Sequence, residues 1–250
     1  MDVIRLSPSR INEYQQCPQL YNYRTIQKLP EPISLDAARG TLVHAILEEL
    51  LAQPVEDRTI DRAKSSVMAH WQAQKAESDE LASLVENEKE WLDRVHALID
   101  SYFQLENPQT FQPTHMEAHL EINHDDSLLL HGYVDRIDIA PTGEVRIVDY
   151  KTGKSPRAGY EEKALFQLRF YALLWYRLHG EIPKLIQLLY LGDKQTIKSS
   201  PTQEQLLAAE KKAVQVSNDI QISIQKDYWP TQKSRLCDWC SFKSICPAFN

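Results

Sequence analysis

The apolar positions of this chain follow a helical period up to about residue 105 and a strand period after it. Leu42, Ile46 and Leu50 recur every four residues within 35–53, the spacing that lines one face of a helix. Residues 58–76 and 80–105 predict two further helices, with Trp91, Val95 and Leu98 as the apolar stripe of the second. Ahead of them, Ser7-Pro8-Ser9-Arg10 predicts a helix start, a serine cap with proline in the first turn, and Cys17-Pro18 predicts its end. From His115 the period falls to two. His115 to Asn123 predicts a strand with Met116, Ala118, Leu120 and Ile122 on one side. A turn at His124-Asp125-Asp126 leads to a second strand over Ser127 to Ala140, and Pro141-Thr142-Gly143 leads to a third over Val145 to Lys151. By period-two logic Ile147, Asp149 and Lys151 share a face of this meander.

A helix rich in leucine and aromatics is predicted over 160–179, then a strand over Leu185 to Leu191, a turn at Gly192-Asp193-Lys194 and a short strand. Thr202 and Gln205 form a capping-box pattern that opens a helix running to about Gln225. Residues 226–250 show no periodicity. The order predicts a mixed α/β fold with a helical N-terminal part, organised as a single domain over 1–250.

Composition narrows the function classes. No stretch approaches the roughly 18–20 apolar residues of a membrane span, and Met1-Asp2-Val3-Ile4-Arg5 lacks the basic start of a secretory signal, so a cytoplasmic location is expected. The net charge of −7 argues against a nucleic-acid partner until its distribution is read. Residues 77–93 hold seven acids and one lysine, a solvated helical face that leaves only −1 for the rest of the chain. Lys151, Lys154, Arg157, Lys163 and Arg169 form a basic stretch further on.

That stretch adjoins the segment with the clearest chemistry. Gly132-Tyr133-Val134-Asp135 is followed by Asp149-Tyr150-Lys151-Thr152-Gly153. Asp149 and Lys151 end an apolar strand, where charges are unexpected, and Asp135 lies on the neighbouring strand of the hairpin. A pair of carboxylates suits a hard divalent ion such as Mg²⁺ or Mn²⁺, and a lysine beside them can steady developing negative charge. Such a set fits phosphodiester hydrolysis; alternate Asp and Lys on a solvated strand are the plainer alternative. Glu117 on the first strand is a weaker candidate, and Asp138, of opposite parity to Asp135, reads as structural.

Cys237, Cys240 and Cys246 crowd the last 14 residues, with Cys17 far upstream. In a reducing compartment they suggest a four-thiolate metal site that staples the two ends of the chain, and by spacing zinc and a [4Fe–4S] cluster fit equally.

Gly-x-x-Asp followed by Asp-Tyr-Lys-Thr-Gly resembles the PD-(D/E)XK nuclease superfamily, and its RecB/AddB-like exonuclease branch most. Arg39-Gly40-Thr41-Leu42-Val43-His44-Ala45-Ile46-Leu47-Glu48 resembles that branch's helical histidine motif, Gln167-x-x-x-Tyr171 its Gln-Tyr motif, and Ser9-Arg10-Ile11 through Cys17-Pro18-Gln19-Leu20-Tyr21 its opening segment. The resemblance implies a central mixed sheet flanked by helices, with a nuclease core over 111–225 and a helical insertion over 35–110. It implies metal ligation by His44, Asp135, Asp149 and the carbonyl of Tyr150, catalysis by Lys151, and Gln167 and Tyr171 facing the site to hold the lysine or the DNA backbone. The cysteine pattern resembles the iron–sulfur staple of AddB-type domains and of CRISPR adaptation nucleases. It implies a [4Fe–4S] cluster on Cys17, Cys237, Cys240 and Cys246, within a subdomain of residues 1–30 and 226–250. The expected activity is metal-dependent cleavage of DNA, single-stranded or at duplex ends, in repair or recombination. A helicase would act in trans, since no Gly-x4-Gly-Lys-Ser/Thr motif is present. A catalytically silent DNA-binding or scaffolding subunit, or a nuclease of CRISPR adaptation, are the alternatives.

Overall fold

The computed structural model describes residues 3–157 and 159–250. Its elements in order are β1 (Ile4–Leu6), α1 (Pro8–Gln16), α2 (Pro18–Tyr21), a π-helical turn Asn22–Ile26, α3 (Leu35–Ala52), α4 (Ile60–Glu77), α5 (Asp79–Leu84) and α6 (Glu88–Leu105). Then come β2 (His115–Asn123), β3 (Leu128–Ile139), β4 (Val145–Lys151), α7 (Glu162–His179), β5 (Leu185–Tyr190), β6 (Gln195–Ser199) and α8 (Gln203–Lys226). The tail forms single 3-10 turns, Arg235–Trp239 and Lys243–Ile245. Among the described residues no helix is long and apolar enough to cross a membrane.

The helices start where side chains can cap them. Ser7, Ser34, Thr59 and Asn87 accept from the third backbone N–H of α1, α3, α4 and α6, and Thr202 with Gln205 forms a complete capping box on α8. The expected helix over 80–105 is two. Ser78 caps α5, the chain breaks over 85–87, and Asn87 starts α6.

Six strands form one mixed sheet. Strands β2, β3 and β4 make the predicted antiparallel meander, β5 lies parallel to β4, and β6 closes that edge. One apolar layer, including Ile147, Ile186 and Leu188, packs under α1, α7 and α8. The other, including Val148, Leu189 and Leu191, packs under α3, α4 and α6. Strands buried on both faces read as apolar runs, as β5 does.

Two departures from regular sheet shape the site. The first is an opening along β3. Strand β1, absent from the sequence-based expectation, pairs in parallel with Leu128–Leu130, and β4 pairs with Arg136–Ile139 on the same edge. Between them, residues 131–135 of β3 have no strand partner there among the described residues. Ser7 and Pro8 end β1 after three residues, because the proline starts a helix and lacks the N–H that a longer ladder needs.

The second is a change of face. Met116 packs on the α3 side, whereas Ala118, Leu120 and Ile122 pack on the α7 side, so the four do not share one face as expected. The ladder between β2 and β3 has the same register on both sides of Glu117 but is interrupted there, and the φ of Glu117, 46°, lies in the left-handed region. On β3 the matching step is from Val134 to Ile137, three residues apart and both on the α7 side. A left-handed non-glycine residue costs on the order of 1–3 kcal/mol and persists only where its surroundings impose it.

Candidate active site

Glu117 stands opposite Asp135 at the step where the β2–β3 pairing is interrupted, the shared kink of the two strands. His44 reaches the same point from the middle of α3, a helix held by buried Val43, Ile46, Leu47 and Leu50. One ligand atom each from His44, Glu117 and Asp135 can lie within 4.8 Å of the others. His44 Nδ1 is 3.4 Å from Asp135 Oδ1, and its Nε2 is 3.1 Å from the carbonyl oxygen of Tyr150. The other oxygen of Asp135 accepts from the backbone N–H of Tyr150 at 2.5 Å, so a side chain replaces the ladder where β3 and β4 part.

This donor set fits a divalent metal ion. Octahedral coordination at roughly 2.1 Å places neighbouring ligand atoms about 3 Å apart and opposite ones about 4.2 Å apart. One imidazole, two carboxylates and a carbonyl suit Mn²⁺ or Mg²⁺. The set differs from the expected one in two members. Glu117, the weaker candidate in the sequence, belongs to the close trio, and Asp149 does not. Its left-handed backbone and its place in the ladder carry no signal in an alternating apolar pattern.

Asp149 faces α7 instead. It is 2% exposed. Gln167 Nε2 donates to its Oδ1 at 3.0 Å, and Lys151 Nζ stands 2.6 Å from Oδ2 as an ion pair without hydrogen-bond geometry. Gln167 Nε2 also donates to the Tyr171 hydroxyl at 2.9 Å. So Gln167 holds Asp149, where the expectation had it holding the lysine or DNA. Gly132 makes room for this arrangement, because a Cβ there would come within 2.6 Å of the Tyr171 ring.

The electrostatics follow from burial and neighbours. Burial pushes the Asp149 carboxyl up to about 6; Lys151 opposes that shift and Asp135 adds to it. Burial works against the charge of Lys151, but Asp149 prevails and leaves its pKa above the ordinary lysine value. Burial likewise opposes a charged His44, yet the hydrogen bond and charge of Asp135 raise its pKa. Burial and then Asp135 raise the pKa of Glu117. Asp149, Glu117 and His44 thus each bind a proton more readily than they would alone, which suits a site built around a cation.

Behind the site lies an ion network that sequence reasoning did not find. Arg136, fully buried, donates to both oxygens of Glu106 at 2.7 Å, to the Tyr150 hydroxyl at 2.5 Å and to Asp138 at 3.2 Å. Its guanidinium lies 4.1 Å from the Phe111 ring centre. Asp138 also takes Arg146 Nε at 2.8 Å, consistent with a structural role. The network pins the Tyr150 ring, and with it the backbone that offers the carbonyl to His44.

Away from the cleft, Cys17, Cys237, Cys240 and Cys246 line one recess between the α1–α2 junction and the tail. Leu20, Tyr23 and Phe242 form the buried apolar cluster beside it, too small a core to hold the tail alone. Among the described residues no three of the four sulfurs lie within 4.8 Å of one another.

Residues 5–247 match the family model of the PD-(D/E)XK nuclease superfamily. The Gene 69 protein of Mycobacterium phage D29 is 25% identical over 97% of this chain and 96% of its own length. The Gene 69 protein of Mycobacterium phage L5 is 29% identical over 50% of this chain and 41% of its own. A crystal structure from Eubacterium rectale, of a protein provisionally named an exonuclease, superposes with a TM-score of 0.63 at 12% identity, covering 94% of this chain and 86% of that one. That likeness is one of fold. A family match running nearly from end to end, over a mixed sheet flanked by helices, places the chain in the PD-(D/E)XK nuclease superfamily.

Proposed function

We propose that the protein is a metal-dependent DNA nuclease of the RecB/AddB-like type, an exonuclease acting on single strands or duplex ends in repair or recombination. The observation that carries this reading is the Lys151–Asp149–Gln167 chain set beside the His44, Glu117 and Asp135 trio, at the opening in the sheet edge. His44, Glu117, Asp135 and the Tyr150 carbonyl would hold the ion, with Asp149 joining once a ligand draws its carboxylate from Lys151. A bound Mg²⁺ or Mn²⁺ supplies charge neutralisation at the phosphate and acidifies a water molecule. Lys151 stays protonated beside Asp149, so it acts as a cation against the phosphate oxygens rather than as a base. Gln167 fixes the orientation of Asp149, and Tyr171 fixes Gln167. Water adds to phosphorus, the bridging P–O bond breaks, and the departing oxygen leaves as a hydroxyl. DNA is the expected partner, a helicase in trans would supply unwound strands, and the expected location is the cytoplasm. End-labelled linear and circular single strands, incubated with each metal, test the reading: loss of the linear strand alone marks an exonuclease, and no cleavage of either with any divalent ion overturns it.

The ligand set predicts a pH-dependent response to metal. After chelation, Mn²⁺ at about 100 times its Kd should stabilise the protein by ~2.7 kcal/mol, a Tm rise of roughly 5–10 °C. Asp149 near 6 and a raised His44 both bind protons as the pH falls, so the ion must displace them at low pH and not at high pH. The rise should therefore be full at pH 8 and shrink towards pH 5. Thermal melts with and without Mn²⁺ measure it, and an equal rise in His44→Ala overturns the assignment.

The recess at Cys17, Cys237, Cys240 and Cys246 is proposed to hold a [4Fe–4S] cluster, supported by four free thiols from the two ends of the chain lining one recess. Protein purified without oxygen should be brown, with about four irons per chain. Cys240→Ser should lose iron and melting temperature but keep its Mn²⁺ affinity. Colourless protein with stoichiometric zinc overturns the claim.

A further inference from the structure

Two steps along the ladder from Glu117 and Asp135, beyond Ala118 and Val134, His119 pairs with Tyr133. Their rings are stacked, with centroids 4.6 Å apart and planes 26° apart, and His131 meets His119 edge-on at 5.9 Å. Tyr133 is 59% exposed although it sits mid-strand on β3, within the stretch that has no partner on the β1–β4 edge. It borders a recess of about 410 Å³ that also takes in Lys151, Gln167 and Tyr171. Spaces of roughly 300–1,000 Å³ are the size that holds small ligands. Two residues of strand separate Tyr133 from Asp135, about 6.6 Å. That is close to the length of one extended nucleotide.

A lone exposed tyrosine needs no explanation. Here three observations coincide. The ring is pre-stacked and so ordered before any ligand arrives. It shares a recess with the lysine of the proposed site. Glu121 beside the aromatic ladder is paired with Arg5 at 2.7 Å, and the other neighbouring acids, Glu117 and Asp135, are those that the proposed ion would neutralise. We infer that Tyr133, backed by His119, is a stacking platform for the nucleobase next to the scissile phosphate. Aromatic stacking accepts any base whose face is free and rejects one still stacked in a duplex, so the platform would select an unpaired nucleotide at that position.

This rests on the nuclease reading for its substrate, and the test separates the two. Binding of a fluorescent single-stranded DNA oligonucleotide is measured in EDTA, so that no cleavage enters; cleavage is measured separately with Mn²⁺. Tyr133→Ala should weaken single-strand binding roughly 5- to 150-fold, the range for loss of one base stack, and Tyr133→Phe should stay within about twofold. In the cleavage arm KM should rise by a similar factor with kcat little changed. A wild-type substrate lacking the base at the flanking position should bind as poorly as intact DNA binds Tyr133→Ala, and should lose nothing more in that variant. Melting temperature checks that the exposed substitution leaves the fold intact. If Tyr133→Ala keeps both affinity and KM while cleavage stays metal-dependent, the platform is wrong and the nuclease reading stands. If wild type binds single strands through Tyr133 but never cleaves, the platform stands and the nuclease reading fails.

Discussion

Asp149→Ala and Lys151→Ala should each lower metal-dependent cleavage of end-labelled DNA by at least about 100- to 1,000-fold, the usual cost of removing one group that meets transition-state charge. The two losses should differ in kind. Asp149 is buried and reaches a polar partner only through Lys151 and Gln167, so its removal takes away a carboxylate that no neighbour can replace. Removing Lys151 also removes the charge that restrains the upward shift of Asp149. In Lys151→Ala, Asp149 should therefore hold its proton to higher pH, and the rising limb of the pH–rate profile should move up with it. Part of the lost rate should return in alkaline buffer for Lys151→Ala and none of it for Asp149→Ala. Unchanged cleavage in both variants would falsify the site.

The largest effect on stability should come from Arg136, which touches no substrate. Burial disfavours its charge, but Tyr150, Glu106 and Asp138 outweigh that and hold its pKa above the ordinary arginine value. Arg136→Met leaves Glu106 and Asp138 next to one another in a dry setting, with only Arg146 nearby. Breaking a buried ion pair in this way costs about 3–5 kcal/mol. In a chain of this size that is a Tm lower by roughly 6–20 °C. Arg136→Lys should rescue little, because an ammonium cannot serve both oxygens of Glu106 at once. Calorimetric melts decide it, and a drop below about 1 kcal/mol would show that the network contributes little. Replacing Arg136 and Glu106 together by apolar residues should recover part of the loss, since neither charge is then left buried alone.

Much of this molecule was legible from local chemistry. Caps at Ser7 and Thr202 and the apolar runs of β4 and β5 act over a few residues, so a sequence read in windows finds them. Other features are decided by partners distant in the chain. Strand β1 is three residues whose only reason to be a strand is Leu128–Leu130, and nothing in Ile4-Arg5-Leu6 announces that pairing. The break between α5 and α6 sits in a run of good helix formers, where Ser78 and Asn87 turned out to be caps and not surface polar residues. Of the metal-capable trio, the sequence pointed to His44 and Asp135 as ligands and to Glu117 only as a weaker candidate, for a similar reason. Alternation assumes a regular strand, and Glu117 reaches Asp135 through a backbone that is not regular. Arg136, Glu106 and Asp138 looked like ordinary charges because a one-dimensional pattern does not tell a buried ion network from a solvated face.

The short β1 also bears on how the molecule could change. It shares one edge of β3 with β4, and residues 131–135 of β3 lie without a strand partner on that edge between them. Each further ladder bond is worth about 0.5–1.5 kcal/mol, so a chain selected for stability alone would extend β1 and gain it. Doing so would run backbone through the space beside Lys151, Gln167 and Tyr171. Ser7-Pro8 thus acts as a doorstop. Replacing that pair with a valine-rich dipeptide should give a tougher protein with its entrance shut, and the modest length of the first strand is best understood as the width of a door.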